Sequence, residues 1–423
     1  MLHFIWGVST TIIMFSFIYG IPSLYSILRD LKRVVWININ SSRNSGNLYD
    51  LPMILIILPF YKEDRNSIEE TFTSIVRQKY PHEKIYVLLV LERDDEQTYR
   101  HVLELSSILS SAGIDFKLVS NSSERRGKAY AINRAIELFK EMADIIVVFD
   151  AGDRIVDDMY LYKVSYLISN HGYSVVGTKV YRVSSNIIGR LSYIDTLLWY
   201  NVGLPGLVKI TKIPLVSGEG LAFSKKFLEE IGGLPEVLAE DAYLTILAVS
   251  INKPIALLDS VIFEGAPSTI TSYVKQRMRW YRGTLQCFKD VITKHRHRVR
   301  RRMLITLAIA YLQPIALIAP FVSTVIIIMS VFINVPYITL LVAKIELITI
   351  VLAPLYVLVN MRYFDPVAFL EPFNWMLQGI VALIALMPIR IPWFRTSSRA
   401  GINISGMYVK VRRNTVVDRD SQI

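Results

Sequence analysis

From Met303 to Ala343 the chain carries no charged residue, a run long enough to enter a bilayer at least once, since a helical span needs about 20 apolar residues. Phe4 to Leu28 is uncharged as well and is followed by Arg29, Asp30, Lys32 and Arg33, which reads as a membrane span with its positive flank inside. A cleaved signal peptide is the alternative. It is disfavoured because no Lys or Arg precedes the run and the run exceeds the usual apolar core of such peptides. Beyond Ala343, Lys344 and Glu346 interrupt a second run that ends at Asn360, and Pro372 to Ile389 forms a last one, so the simplest count is three spans in this third. A helix starting near Pro336 puts Lys344 roughly 12 Å along its axis, where an unpaired lysine costs on the order of 3 kcal/mol. Lys344 and Glu346 are therefore expected to face a bundle interior or a polar path without pairing to each other. The alternative is a span that starts later and leaves both in an interfacial loop.

At 423 residues, 52% hydrophobic and 20% charged, the chain is too apolar for an ordinary soluble protein and too charged to be membrane throughout, which leaves one soluble domain plus spans. The net charge of +11 is densest at His295-Arg296-His297-Arg298-Val299-Arg300-Arg301-Arg302. Abutting an apolar segment, that run reads as an anchor to anionic membrane lipid rather than a nucleic-acid contact. The single cysteine, Cys287, excludes an internal disulfide framework and a Cys-based zinc site, and fits a catalytic portion in a reducing compartment. With the N-terminus outside, four spans put the tail outside, yet Arg395, Arg399, Lys410, Arg412 and Arg413 favour the inner side. An extra span, an interfacial segment or an exception to the charge rule would each resolve the conflict.

Between residues 50 and 300 short apolar strands alternate with helical stretches, which predicts an α/β domain with a mostly parallel sheet. The strands are Met53 to Phe60, Ile85 to Leu91, Phe116 to Val119 and Ile145 to Phe149, with helices over 66–78, 98–111 and 128–141. In open sheets of this kind ligands bind beyond the carboxyl ends of the strands. There the chain places Glu63 and Asp64, then Glu92, Asp94 and Asp95, each able to accept hydrogen bonds from a nucleoside or simply to cap the next helix. Glu124-Arg125-Arg126-Gly127-Lys128 sets a glycine among cations at a helix start, which suits a phosphate.

After the fourth strand come Asp150-Ala151-Gly152-Asp153, two carboxylates on a tight turn that suit Mg²⁺ or Mn²⁺, with helix capping by Asp153 as the plainer reading. Ser217-Gly218-Glu219-Gly220 supplies flexible backbone around one carboxylate. Ala239-Glu240-Asp241-Ala242 opens a helix, where acids are ordinarily dipole partners; Asp241 becomes a candidate base only if an acceptor hydroxyl lies beside it. Gln276-Arg277-Met278-Arg279-Trp280 offers guanidiniums for an anion and an indole for a sugar ring, or else a membrane-surface anchor. Leu191 to Val202 reads either as an amphipathic helix at the membrane surface or as core.

Taken together, in this order and followed by spans, these motifs resemble the membrane-integrated family 2 glycosyltransferases, the group holding cellulose, chitin and hyaluronan synthases. The resemblance covers about residues 50–300 closely, and Trp393-Phe394-Arg395-Thr396 looks like the segment after the last helix in relatives. It implies a GT-A fold over 50–265, interfacial helices over 266–302, spans over 303–393 and a basic tail over 394–423. It further implies a nucleoside-diphosphate sugar donor, a UDP-sugar for preference, a divalent Mg²⁺ or Mn²⁺ cofactor, and inversion at the anomeric carbon, at the inner face of the plasma membrane. By matching position, Asp241 is the base, and Asp150 and Asp153 take the metal and diphosphate. Arg277 and Arg279 clamp the diphosphate, and Glu63, Asp94 and Lys128 meet the nucleoside. Trp280 is the acceptor platform, with Glu240, Gly218 and Glu219 beside it. Relatives carry Asp-any-Asp at the metal turn, whereas Gly152 stands in the third place here. The acceptor is a polysaccharide extended processively and exported, or a lipid that receives one sugar. A transport or scaffold protein that merely binds nucleotide leaves these residues without a shared task.

Overall fold

The computed structural model describes residues 2–39, 51–121, 127–294, 301–361 and 363–387. Glu124-Arg125-Arg126, the basic run from His295 to Arg300, and the segment from Trp393 through the basic tail lie outside the described residues.

Among the described residues eight strands form one sheet in the order β3-β2-β1-β4-β7-β6-β8-β5: β1 Ile54–Phe60, β2 Ile85–Glu92, β3 Asp115–Asn121, β4 Ile145–Val148, β5 Arg154–Ile155, β6 Val175–Val183, β7 Leu221–Ser224 and β8 Ile255–Gly265. The four predicted strands are the parallel half, β3-β2-β1-β4, with Ile54 opposite both Ile85 and Ile145. The sheet is mostly parallel, as expected, and its antiparallel pairings lie in the other half. There β7 runs antiparallel to both β4 and β6, β5 runs antiparallel to β8, and only β6 and β8 pair in parallel. Along β1, β2 and β4 alternate side chains feed opposite faces: Leu55, Ile57, Leu88, Val90, Ile146 and Val148 pack on one side, and Ile54, Ile56, Val87, Leu89, Ile145 and Val147 on the other. Burial on both faces is why these strands read as unbroken apolar runs.

Among the described residues three helices are long and apolar enough to cross a membrane: Leu2–Arg29, Tyr337–Asn360 and Pro366–Leu386. The Met303–Ala343 run does not make one straight span. Helices Arg301–Tyr311 and Gln313–Met329 meet at a 47° bend next to Pro314, whose missing N–H and fixed φ interrupt the ladder. Lys344 and Glu346 both lie inside the helix that begins at Tyr337, as the first expectation had it, but on different faces. Glu346 is buried and accepts the Ser16 hydroxyl at 3.1 Å, whereas Lys344 faces outward.

The sheet domain packs against these helices at several places, two of which follow. In helix Leu204–Thr211, a Cβ at Gly206 would stand 2.7 Å from the backbone of Pro22, so the absence of a side chain lets this helix lie directly on the N-terminal one. Helix Ile270–Thr293, which opens with a capping box at Thr269, packs along helix Glu371–Leu386. Residues 191–202 bear out the core reading. Tyr193, Leu197 and Tyr200 are core, while Leu198, Trp199 and Val202 also wall the cavity described next.

Candidate active site

A cavity of about 1290 Å³ opens beyond the carboxyl ends of β1, β4 and β6 and continues between the apolar helices. Ten of the residues singled out from the sequence line it: Glu63, Lys128, Asp150, Gly218, Glu219, Glu240, Asp241, Arg277, Arg279 and Trp280. Asp94 and Asp153 do not. At the end of β2 it is Glu92 that faces the cavity, its carboxylate held by the Asn121 amide at 3.0 and 3.1 Å, while Asp94 is exposed. Asp64 and Asp95 are helix caps, accepting the backbone N–H groups of Ser67 at 3.0 Å and Thr98 at 3.3 Å. The plainer reading holds for these two.

The turn after β4 is built on Gly152, whose φ of +94° suits glycine and whose N–H is held by Thr71 Oγ1 at 2.8 Å. Asp153 caps no helix. It is fully buried, and one of its oxygens takes the Asp150 N–H at 2.8 Å, so that it shapes the turn presenting Asp150. Its other oxygen has no hydrogen-bond partner among the described residues, and burial together with Asp150, Glu264 and Glu219 holds its carboxyl well above the usual range.

Lys128 was expected beside a nucleoside. Its ammonium instead sits between acids, 2.8 Å from Asp150 Oδ1 and 3.7 Å from Glu240 Oε1. Burial opposes its charge, but Asp150, Glu240 and Glu219 outweigh that and raise its pKa. Asp241 follows Glu240 at the start of helix Glu240–Ser250, with Oδ1 on the Ala242 N–H at 2.7 Å and the Gly218 backbone close against Oδ2. Burial, then Glu240 and Glu219, push its carboxyl up to about 7, where a general base is best matched to neutral pH.

Two residues absent from the sequence reading organise the centre. Arg182, near the end of β6, is buried with Nη2 2.6 Å from both Glu219 and Glu264, the latter near the end of β8. Burial raises the Glu219 carboxyl but Arg182 and Lys128 prevail and hold it low. The Glu264 carboxyl, buried and facing Glu219 and Asp150, is pushed up to about 8. The same guanidinium lies 4.4 Å from the Trp280 ring centroid, and that of Arg277 lies 4.5 Å from it.

Arg277 does not stand as an open anion clamp. It is buried and paired with Asp195 at 2.5 Å, on a network in which Tyr273 donates to Asn374 at 2.7 Å and Gln378 reaches Asp195 at 3.4 Å. This ties helix Ile270–Thr293 to the last apolar helix. Arg279 is partly exposed in the cavity wall, and its Nε, like that of Arg277, is a buried donor without a partner among the described residues, which suits an anion.

A divalent cation fits this acid set in charge. Asp150, Asp153, Glu219, Glu240, Asp241 and Glu264 outnumber Lys128 and Arg182, and three of the acids have raised pKa values because burial disfavours their charge and their neighbours repel it. Among the described residues no three His, Cys, Asp or Glu side chains form a ready cage.

Residues 52–283 match the family model described as glycosyltransferase like family 2. Over 242 residues the chain is 26% identical to a probable glycosyltransferase, YdaM, of Bacillus subtilis, covering 56% of each. Over 302 residues it is 22% identical to a hyaluronan synthase of Streptococcus pyogenes, covering 66% of this chain and 69% of that one. The chain thus spans little more than half the length of the first of these relatives. A mannosyltransferase of Pyrobaculum calidifontis, PcManGT, solved in complex with GDP-Man and Mn²⁺, superposes with a TM-score of 0.60 at 20% identity over 89% of this chain and 97% of that one. The fold is therefore that of the GT-A glycosyltransferases with added apolar helices.

Proposed function

The chain belongs to glycosyltransferase family 2, and from that premise we propose that it transfers a sugar, with inversion, from a nucleoside diphosphate to an acceptor hydroxyl at the surface of a membrane. The observation that carries this is the single cavity in which Asp150, Asp241, Arg279 and Trp280 meet and which runs on between the apolar helices. The acceptor oxygen attacks the anomeric carbon, its proton passes to Asp241, and the bond to the diphosphate breaks. Glu63 and Glu92 face the nucleoside end, and the free donor of Arg279 meets the departing diphosphate. Asp150, with Asp153 forming its turn, would hold a Mg²⁺ or Mn²⁺ ion whose chemistry is to screen the diphosphate charge. The mannosyltransferase solved with Mn²⁺ supports that cofactor. Arg277 acts by fixing Trp280 and Asp195 rather than by touching phosphate.

We favour extension of a polysaccharide with passage of the product between the helices, because the cavity does not stop at the reaction centre and a hyaluronan synthase is among the relatives. The orientation with the sheet domain on the inner side follows from Arg29, Lys32 and Arg33 beyond the first helix. Replacing Asp241 with Asn in the full-length protein should lower donor turnover by ~10²–10⁴-fold in a nucleoside-diphosphate release assay; an unchanged rate sinks the assignment of the base. Sizing of products made from a panel of labelled nucleotide sugars tests extension. Products with one added sugar leave the lipid-acceptor reading in its place.

A further inference from the structure

Helix Ile187–Leu198 passes into a π turn over Trp199–Gly203 before helix Leu204–Thr211 begins. Single turns of this kind are rare and are often found at functional sites. This one leaves a carbonyl without a helical donor. The Leu204 N–H, which an α-helix would give to Tyr200, goes to Trp199 instead. The next residue, from which a π ladder would serve Tyr200, is Pro205, and it has no N–H. The Tyr200 carbonyl, on a residue only 3% exposed, is met from outside the helix by the indole N–H of Trp36 at 2.9 Å.

Trp36 stands just beyond the N-terminal helix, which ends at Arg29, and its own place is fixed by the sheet. Ile37 lies beside β8 like an added strand, its N–H donating to the Leu257 carbonyl at 2.7 Å and its carbonyl accepting the Asp259 N–H at 2.8 Å. Lys179, ion-paired with Asp259, lies 4.9 Å from the Trp36 ring centroid. On the inner side Tyr200 carries the connection onward. Its phenol shares a hydrogen bond of 2.5 Å with the Ser217 hydroxyl, and Tyr200, Ser217 and Gly218 all line the cavity. Gly218 is the residue whose backbone stands against Asp241.

Resting on the transfer reading above, we propose that Trp36 is a positioning residue for the acceptor. By bonding the Tyr200 carbonyl it holds the wall formed by Trp199, Tyr200 and Ser217 in register with Gly218 and Asp241, so that the exit of the first apolar helix sets the shape of the acceptor site. Without the indole the turn loses the donor on its open carbonyl, and a buried carbonyl left unpaired is disfavoured. Trp199 and Tyr200, side by side on that turn, then lose their fixed place in the wall, and Ser217 loses its partner's.

The test is hydrogen exchange of the full chain in lipid nanodiscs, comparing the wild type with Trp36→Phe, which keeps a ring beside Lys179 but has no N–H, with Ser217→Ala, and with the double variant. Exchange over residues 199–204 and 217–221 should quicken about fivefold in Trp36→Phe, as the loss of one hydrogen bond implies. The double variant should be no faster over 217–221 than the faster single variant, because both changes act on one connection. An unaltered 217–221 segment, or effects that multiply, overturns the proposal. Trp6→Phe, at a buried tryptophan near the start of the N-terminal helix, is the control and should alter neither segment. Kinetics reads the role itself, with the fastest-released donor of the panel and cellotetraose or chitotetraose as acceptor probe. Trp36→Phe should raise the acceptor KM about fivefold, more than it lowers kcat; a loss confined to kcat, or an unaltered KM beside a faster-exchanging wall, makes Trp36 a packing residue only and overturns the proposal. Exchange needs no turnover, so it decides the matter even where neither tetraose is accepted, and failure of the transfer reading is read separately by Asp241→Asn.

Discussion

At the scale of single residues, the acid held near neutrality gives a pH signature. Asp241 works as a base only when ionised, and its carboxyl sits at about 7. Turnover should therefore rise as pH increases through about 7, and a Glu240→Gln variant, which removes the neighbouring charge, should shift that limb to lower pH; an unshifted limb refutes the coupling. Arg182 is a positioning residue whose loss leaves Glu219 and Glu264 facing each other in a buried place. Arg182→Met should cost roughly 3–5 kcal/mol of stability and raise the acceptor KM more than it lowers kcat for soluble acceptors, because Trp280 loses one of its two cations. Much of the centre was legible from motifs that place acids at strand ends. Arg182 and Glu264 were not, although each is a charged residue within an otherwise apolar run, Val180-Tyr181-Arg182-Val183 and Val261-Ile262-Phe263-Glu264. A buried charge in a strand is costly unless it has a partner, and that cost was the available signal. Asp94 was preferred over Glu92 because sequence does not show where a strand stops. β2 extends to Glu92, which carries that side chain to the cavity rim.

At the scale of elements, the contact between Gly206 and Pro22 joins the catalytic half to the first apolar helix. Gly206→Val forces a side chain into 2.7 Å of space and should cost about 1–3 kcal/mol. It should lower the midpoint of thermal unfolding in detergent, whereas Gly232→Ala, a turn glycine with open space around it, should lose only its backbone term. The parallel half of the sheet was readable because strands buried on both faces are continuous apolar runs flanked by helices with clear periodicity. The other half escaped because β5 and β7 are short and are paired by segments far away in sequence. The broken helix around Leu312 was masked for a different reason: hydropathy records the absence of charge, not the direction in which a chain turns.

At the scale of the whole molecule, the acid-rich centre links stability to pH and to cations. Asp241 and Glu264 hold their protons more tightly folded than unfolded, so stability should fall as pH rises from about 4 toward 7 and 8, where their folded pKa values lie. Mn²⁺ with a nucleoside diphosphate should raise the unfolding midpoint most at the alkaline end of that window, and EDTA should reverse it; a midpoint insensitive to both contradicts a cation on these carboxylates.

The pairing of Ser16 with Glu346 also bears on how the protein is made. The two residues are 330 positions apart. At ~5–20 residues per second of synthesis, the first helix waits on the order of half a minute, its hydroxyl without this carboxylate, before the ribosome delivers its mate. Assembly is then a late docking event in which the last third closes onto a segment inserted long before, and a chaperone or insertase that shelters lone polar helices would act in that interval.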